Sequence, residues 1–211
     1  MQYESLVRKI ENIIVSMPQE PIVLAPDVEG MTSPKVRCLL NAIVASEPCS
    51  RHLEVGSYKG ATLVSAMINN HHASAIAYED FSEYSVQNEL EANVNRHRHE
   101  LGAVRLFYQD FFEVDIPEDM LPITSFFYDG DHSSESQKKA VLRAMDLCDE
   151  ALVFIVDDWN WSDVRKGTWD GINEARCCRF AFWELMAKHN WDDAEFHNGL
   201  GVFVLSCVSR E

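Results

Sequence analysis

Five apolar runs that break off at polar or acidic residues, interleaved with segments of helical spacing, constrain the fold of this chain more than any other feature. The runs are RHLEV (51–55), SAIAYED (74–80), AVRLFY (103–108), ITSFFYD (123–129) and ALVFIVDD (151–158). Strands that alternate with helices pair in parallel, because each crossover lays its helix on one face of the sheet. Two helical segments precede the first strand, ESLVRKIENIIVSM and TSPKVRCLLNAIVASE, the second with Thr32 or Ser33 as a cap and Pro34 in its first turn. A long helix is expected over residues 171–190, GINEARCCRFAFWELMAKHN, and the chain closes with two strand-like runs around Asn198-Gly199. Asn-Gly between such runs is a hairpin signal, so the final strand pair should be antiparallel.

The 211 residues, 46% of them hydrophobic, suffice for one full core. With 34 acidic against 18 basic side chains the chain carries −16 at pH 7, which repels a phosphate backbone and offers little to anionic lipid. Neither nucleic acid nor a membrane surface is an expected partner. The N-terminal stretch lacks the unbroken apolar core of a signal peptide, and no run approaches the ~20 apolar residues of a membrane span, so a cytoplasmic location is expected. Six cysteines without metal-ligand spacing are expected to be reduced thiols.

In open parallel sheets, ligands bind beyond the carboxyl ends of the strands, and there the sequence places its acids. Glu54 closes the first run and is followed by Gly56 and Gly60, residues that let the chain turn sharply and bring backbone N–H groups against a ligand. Their spacing is neither the dinucleotide fingerprint nor a phosphate loop. Glu79-Asp80 end the second run, where a carboxylate can accept from both hydroxyls of a ribose, and Gln109-Asp110 follow the third, suited to an adenine edge.

Asp129 ends the fourth run and Asp157-Asp158 the fifth. Adjacent strands lie about 4.8 Å apart, so these carboxylates can converge. They would repel one another unless a cation neutralised them. Helix capping needs one acid where the sequence supplies three, and a hard divalent ion such as Mg2+, with Ca2+ or Mn2+ as substitutes, suits the oxygen donors. His132 could take a proton from a substrate hydroxyl. Asp131 could orient His132, touch a cofactor or cap the helix that starts near Ser133. Of the five tryptophans, Trp159 and Trp161 are expected to line a pocket beside the ion, and core packing accounts for the others.

These motifs resemble class I S-adenosylmethionine (SAM)-dependent methyltransferases. HLEVGSYKGAT is similar to their first motif, YEDFS to the acidic ribose motif, YQDFF to the adenine motif and NGLGVFVL to the closing hairpin, together spanning about residues 28–208. The D-G-D-H and D-D pair, 28 residues from Asp129 to Asp157, is similar to metal-dependent O-methyltransferases, and among them to those acting on the sugars of macrolide antibiotics. It more distantly resembles the catechol and caffeoyl-coenzyme A enzymes, which carry D-N in place of Asp157-Asp158. The loop DLCDEALVF departs from the pattern by lacking the usual Gly-Gly turn.

The resemblance implies an α/β, Rossmann-like, doubly wound seven-stranded sheet, mostly parallel with a C-terminal antiparallel hairpin. Residues 1–48 would be an N-terminal helical cover and 49–211 the core of a single methyltransferase domain. It implies SAM as cofactor, held by Glu54, Gly56, Ser57, Gly60, Glu79, Asp80, Asp110 and Asp129, a metal ion on Asp129, Asp157 and Asp158, and His132 with Asp129 as catalytic residues. Methyl transfer to a hydroxyl of a small molecule is the expected activity, and enzymes of this kind often self-associate. Metal-independent transfer and a non-catalytic adenosyl-ligand-binding role are the alternatives. A nucleic-acid methyltransferase is disfavoured by the charge and by the lack of an N-P-P-Y or D-P-P-Y tetrapeptide.

Overall fold

A computed structural model describes residues 2–175 and 178–206. Two helices, α1 (Gln2–Ser16) and α2 (Pro34–Ala45), lead into β1 (Arg51–Val55), α3 (Ala61–Met67), β2 (Ser74–Tyr78), α4 (Gln87–His97), β3 (Ala103–Phe107) and β4 (Ser125–Tyr128). The chain continues through α5 (Ser134–Asp146), β5 (Ala151–Val156), α6 (Ser162–Ala175), β6 (Cys178–Leu185) and β7 (Leu200–Ser206). The strands form one sheet in the order β3-β2-β1-β4-β5-β7-β6. β7 runs antiparallel to β5 and β6, and the remaining pairs are parallel. No described helix is long and apolar enough to cross a membrane.

Alternation along the strands divides the core into two layers, as a period of two requires. Ala75, Ala77, Phe127, Val153 and Ile155 face the helices α1 to α4, whereas Leu53, Ile76, Tyr78, Phe126 and Phe154 face α5 and α6. Helices cover both faces, so the strands read as nearly unbroken apolar runs. α6 packs tightly on α5 because Gly167 lies against it. A Cβ there would stand 2.2 Å from the Ser134 carbonyl oxygen.

α2 starts as its sequence predicts. Ser33 is buried, its Oγ accepts from Val36 N at 3.3 Å, and Pro34 occupies the first turn. Ser33→Ala removes that acceptor, and we expect a loss of about 1 kcal/mol in urea unfolding. A midpoint within error of the parent would show that the cap contributes nothing. Ahead of α2, the buried Arg37 guanidinium donates to the carbonyls of Leu24, Ala25 and Val28 at 3.1, 2.8 and 3.0 Å. Three carbonyl dipoles thereby offset much of a buried charge, Nε alone of its nitrogens having no partner, and the segment between α1 and α2 is tied to the domain.

Two expectations are corrected. The helix foreseen over 171–190 ends with α6 at Ala175, and β6 occupies Cys178–Leu185; residues 176 and 177 lie outside the described residues. The antiparallel partner of β7 is therefore β6, reached through a connector over 186–199, and Asn198-Gly199 close a turn at the end of that connector (Gly199 N to Phe196 O, 2.7 Å) rather than joining the two strands directly. Ala181, Trp183 and Leu185 pack with one core layer and Phe182 with the other. A strand apolar on both faces lacks polar alternation and imitates a buried helix. The second correction is Cys148, which is disulfide-bonded, while Cys38 and Cys49 are free thiols. Cysteine spacing alone does not reveal which segments fold alongside one another.

Registers across the parallel strands align their ends. Val55 pairs with Tyr78 and with Tyr128, and Tyr128 pairs with Val156. The next residues, Gly56, Glu79, Asp129 and Asp157, extend the same row. Gly56 N donates to Tyr78 O (3.0 Å), Asp129 N to Val55 O (2.9 Å) and Asp157 N to Tyr128 O (3.1 Å).

Candidate active site

A cleft of about 790 Å³ opens over that row, in the size range of small-molecule sites. Its walls include Gly56, Glu79, Asp80, Asp110, Asp129 and His132, with Asp157 and Asp158. Gly56 adopts φ +86°, and a Cβ in its place would stand 1.9 Å from the Asp129 carbonyl oxygen. The glycine is what lets β1 and β4 meet at the cleft floor.

Glu54, Ser57 and Gly60 do not line the cleft. Glu54 is fully buried, with Oε1 accepting from Thr62 Oγ1 at 2.9 Å and Oε2 without a hydrogen bond, 3.8 Å from His52 Nε2. Ser57 is buried with an unpartnered Oγ, and Gly60 begins α3 in the left-handed region. At the β2 end, Glu79 accepts from Tyr58 N (2.8 Å) and Phe81 N (3.1 Å). Burial raises its pKa and the neighbouring Asp80 and Glu54 add to this, while the two N–H bonds oppose it. Asp80 is exposed and accepts from Ser82 N at 2.9 Å. Asp110, also exposed, accepts from Phe112 N at 2.8 Å and so caps a short 3-10 turn.

Asp129, His132 and Asp158 converge. Each offers one ligand atom, and those atoms lie within 4.8 Å of one another. His132 Nε2 is 2.5 Å from Asp158 Oδ2 and 3.8 Å from Asp129 Oδ1, an ion pair when the ring is protonated. Asp157 is buried beside them, with Oδ1 unpartnered. Burial, with the charge of Asp158, pushes the Asp129 carboxyl up to about 7, although His132 opposes this. Burial and then Asp129 and Asp158 hold Asp157 well above the carboxylate range. Burial disfavours the charged His132, but the two carboxylates override it and raise the imidazole to about 10. Asp129 and Asp157 thus titrate upward, first because burial disfavours their charge and then because neighbouring carboxylates add to it. An orphaned buried oxygen, mutually destabilised carboxylates and one imidazole match the donor set of a divalent cation.

Asp131 starts α5. It accepts from Ser133 N (3.0 Å), Ser133 Oγ (2.8 Å) and Ser136 Oγ (2.7 Å). Trp161 lines the cleft with its ring centroid 4.9 Å from that of His132. Trp159, in contrast, is fully buried against Trp169, Phe182 and Phe203, and donates from Nε1 to Glu184. Sequence reasoning passes over Asn198, whose Nδ2 donates to Asp158 Oδ1 at 2.5 Å. It also passes over His197 and assigns Trp191 to packing; both line the cleft. The Asn-Gly pair is the available signal, and in the sequence it reads as a turn.

No protein-family model matches the sequence, and no curated protein is detectably similar to it. Solved structures do match in fold. A Streptococcus mutans protein assigned as a SAM-dependent methyltransferase superposes with TM-score 0.56 at 15% identity, over 82% of this chain and 48% of that one. This chain thus spans about half the length of that relative. An O-methyltransferase from Bacillus cereus, solved with S-adenosylhomocysteine (SAH), gives 0.56 at 14% identity over 96% and 90% of the two chains. A Pyrococcus horikoshii protein assigned as an RNA methyltransferase gives 0.59 at 12% over 100% and 98%. The chain has the class I SAM-dependent methyltransferase fold.

Proposed function

We propose that this protein is a SAM-dependent methyltransferase that acts on a hydroxyl group of a small molecule with the help of a divalent metal ion. One observation carries the reading: in this fold, the carboxylates closing β4 and β5 meet an imidazole at the floor of a cleft whose walls carry the acids following β2 and β3. Gly56 would admit the donor to the backbone, Glu79 or Asp80 would take the ribose hydroxyls, and Asp110 the adenine edge. Asp129, Asp158 and Asp157 would hold the ion, with His132 in the same group. When bound, the sulfonium supplies the methyl group with its own leaving group, and the ion supplies positive charge that favours a deprotonated hydroxyl. With an ion in place of its proton among the carboxylates, the His132 imidazole would be neutral and would serve as the base for the hydroxyl proton, and orientation of the acceptor on the cleft floor would support an in-line transfer. The net charge of −16 argues against a nucleic-acid acceptor.

A second reading is metal-independent transfer. The 2.5 Å approach of His132 to Asp158 favours it, because a protonated imidazole could neutralise the carboxylates without an ion. Thermal unfolding of EDTA-treated protein with SAH, with and without Mg2+ or Mn2+, separates the two. A ligand at 100 times its dissociation constant stabilises by about 2.7 kcal/mol, or roughly 5–10 °C in a chain of this size. SAH alone should give such a shift and the metal should add to it. An SAH shift that metal leaves unchanged selects the second reading, and no SAH shift at any concentration removes both.

A further inference from the structure

The connector over residues 186–199 contributes Trp191, His197 and Asn198 to the cleft. His197 is 6% exposed, and its Nδ1 lies 3.0 Å from Asp193 Oδ1. A carboxylate only accepts, so Nδ1 carries a proton, and in the neutral ring Nε2 is left as an acceptor. That Nε2 is buried without a hydrogen-bond partner, a state native folds seldom keep unless a ligand or a functional role accounts for it. Trp191 is 59% exposed, and its ring meets the His197 ring edge-on at 5.2 Å.

Both residues hold left-handed backbone, φ 65° for Trp191 and 58° for His197, as does Asp158 at 54°. Non-glycine residues stay there only where their surroundings over-determine them. Here Asn198 supplies the constraint. Its Oδ1 accepts from Trp191 N at 2.8 Å while its Nδ2 donates to Asp158, and Asp192 and His197 exchange backbone hydrogen bonds of 3.1 Å. The connector is thus pinned to the same carboxylate that meets His132. Charge narrows what could sit against it. Glu79, Asp80, Glu83, Asp110 and Asp131 line the cleft besides the carboxylates after β4 and β5, and among the described residues no Lys or Arg does. Such a field repels anionic ligands.

We propose that residues 191–198 form the acceptor subsite: Trp191 packs against the ring of an uncharged or cationic hydroxylated ring compound, and His197 Nε2 accepts a hydrogen bond from one of its hydroxyls. The assignment rests on the methyltransferase reading and adds the acceptor class and the residues that select it. His197 is an acceptor-binding residue, oriented by Asp193, and Asn198 is a positioning residue.

The test uses the full chain loaded with SAH and Mg2+, and ligand-observed NMR with a panel of hydroxylated aromatic and sugar fragments that are uncharged, cationic or anionic. Hits should fall among the uncharged and cationic members. Trp191→Ala and His197→Phe should each weaken them roughly tenfold. His197→Gln, which keeps an acceptor near Nε2, should weaken them less than about threefold. SAH affinity by calorimetry should stay unchanged in all three, which also certifies their folding. If His197→Phe loses SAH binding, the Trp191→Ala and His197→Gln pair decides. Hits undiminished in the variants, strongest binding by anionic members, or a panel without hits on SAH-loaded protein overturns the subsite alone. Wild-type protein that takes up no SAH overturns the methyltransferase reading and the subsite with it.

Discussion

If the proposed function holds, Asp129→Asn protein will still bind SAH, but it will lose its response to Mg2+ or Mn2+ and transfer methyl groups more than about 100-fold more slowly. In EDTA it will also lose less stability than the parent as pH rises. The second effect follows from the burial of Asp129, to which the charge of Asp158 adds. Asp129 is raised from 3.8 to about 7 in the folded protein, so between those values the folded state keeps a proton that the unfolded chain has released. Its stabilising contribution is complete below the lower value and is lost as pH climbs to the upper one. His132, raised from 6.5 to about 10, runs in the same direction: its contribution is complete below 6.5 and disappears as pH rises through 10. Metal-free wild type should therefore melt progressively lower from pH 5 to pH 9, whereas the amide of the variant carries no proton to lose and flattens the first part of that slope. By the same linkage, metal should stabilise the wild type more at pH 8 than at pH 6. Melting temperatures in EDTA and in Mn2+ across this range provide the measurement. Parallel curves for parent and variant would mean that folding does not raise the Asp129 carboxyl.

Gly56→Ala will unfold the protein or cost it more than about 3 kcal/mol, and will abolish SAH binding. The added Cβ would meet the Asp129 carbonyl oxygen at 1.9 Å and its carbon at 2.5 Å, both backbone atoms, with φ at +86°. No rotamer change relieves contacts of that kind. Gly130→Ala is the matched control. Its Cβ would meet the Tyr128 ring at 3.0 Å, side-chain atoms at a longer distance than the Asp129 backbone atoms that face Gly56, so a milder loss is expected. Urea unfolding and SAH calorimetry on both variants give the comparison. A Gly56→Ala protein with parental stability and donor affinity would remove the close approach of β1 and β4 from the account.

What the sequence makes legible is the part governed by local pattern. The strands announce themselves as apolar runs, and the acids that close them at 79, 129 and 157 emerge in one row because parallel register carries each strand end to the same level. The helix starts at Ser33 and Ser133 are equally local. What stays hidden depends on tertiary placement. β6 looks helical because both of its faces are covered. Trp159 and Trp161 are two residues apart, yet only Trp161 reaches the cleft, since Asp158 turns the backbone into the left-handed region between strand end and helix. Asn198 reaches Asp158 across 40 positions of sequence, a pairing no local pattern encodes. In the sequence His132 reads as a free base, whereas the fold seats it between two carboxylates.

The shared level of these strand ends sets where the chain can change length. An insertion or deletion of one residue inside β4 would slide Asp129 off its row and turn Phe126 and Phe127 to the wrong layers at once, because side chains reverse faces with every step. Segments that join the strands at the surface carry no such penalty. Natural variants of this architecture should accordingly hold β1, β4 and β5 at fixed lengths, while gaining or losing residues in the joining segments.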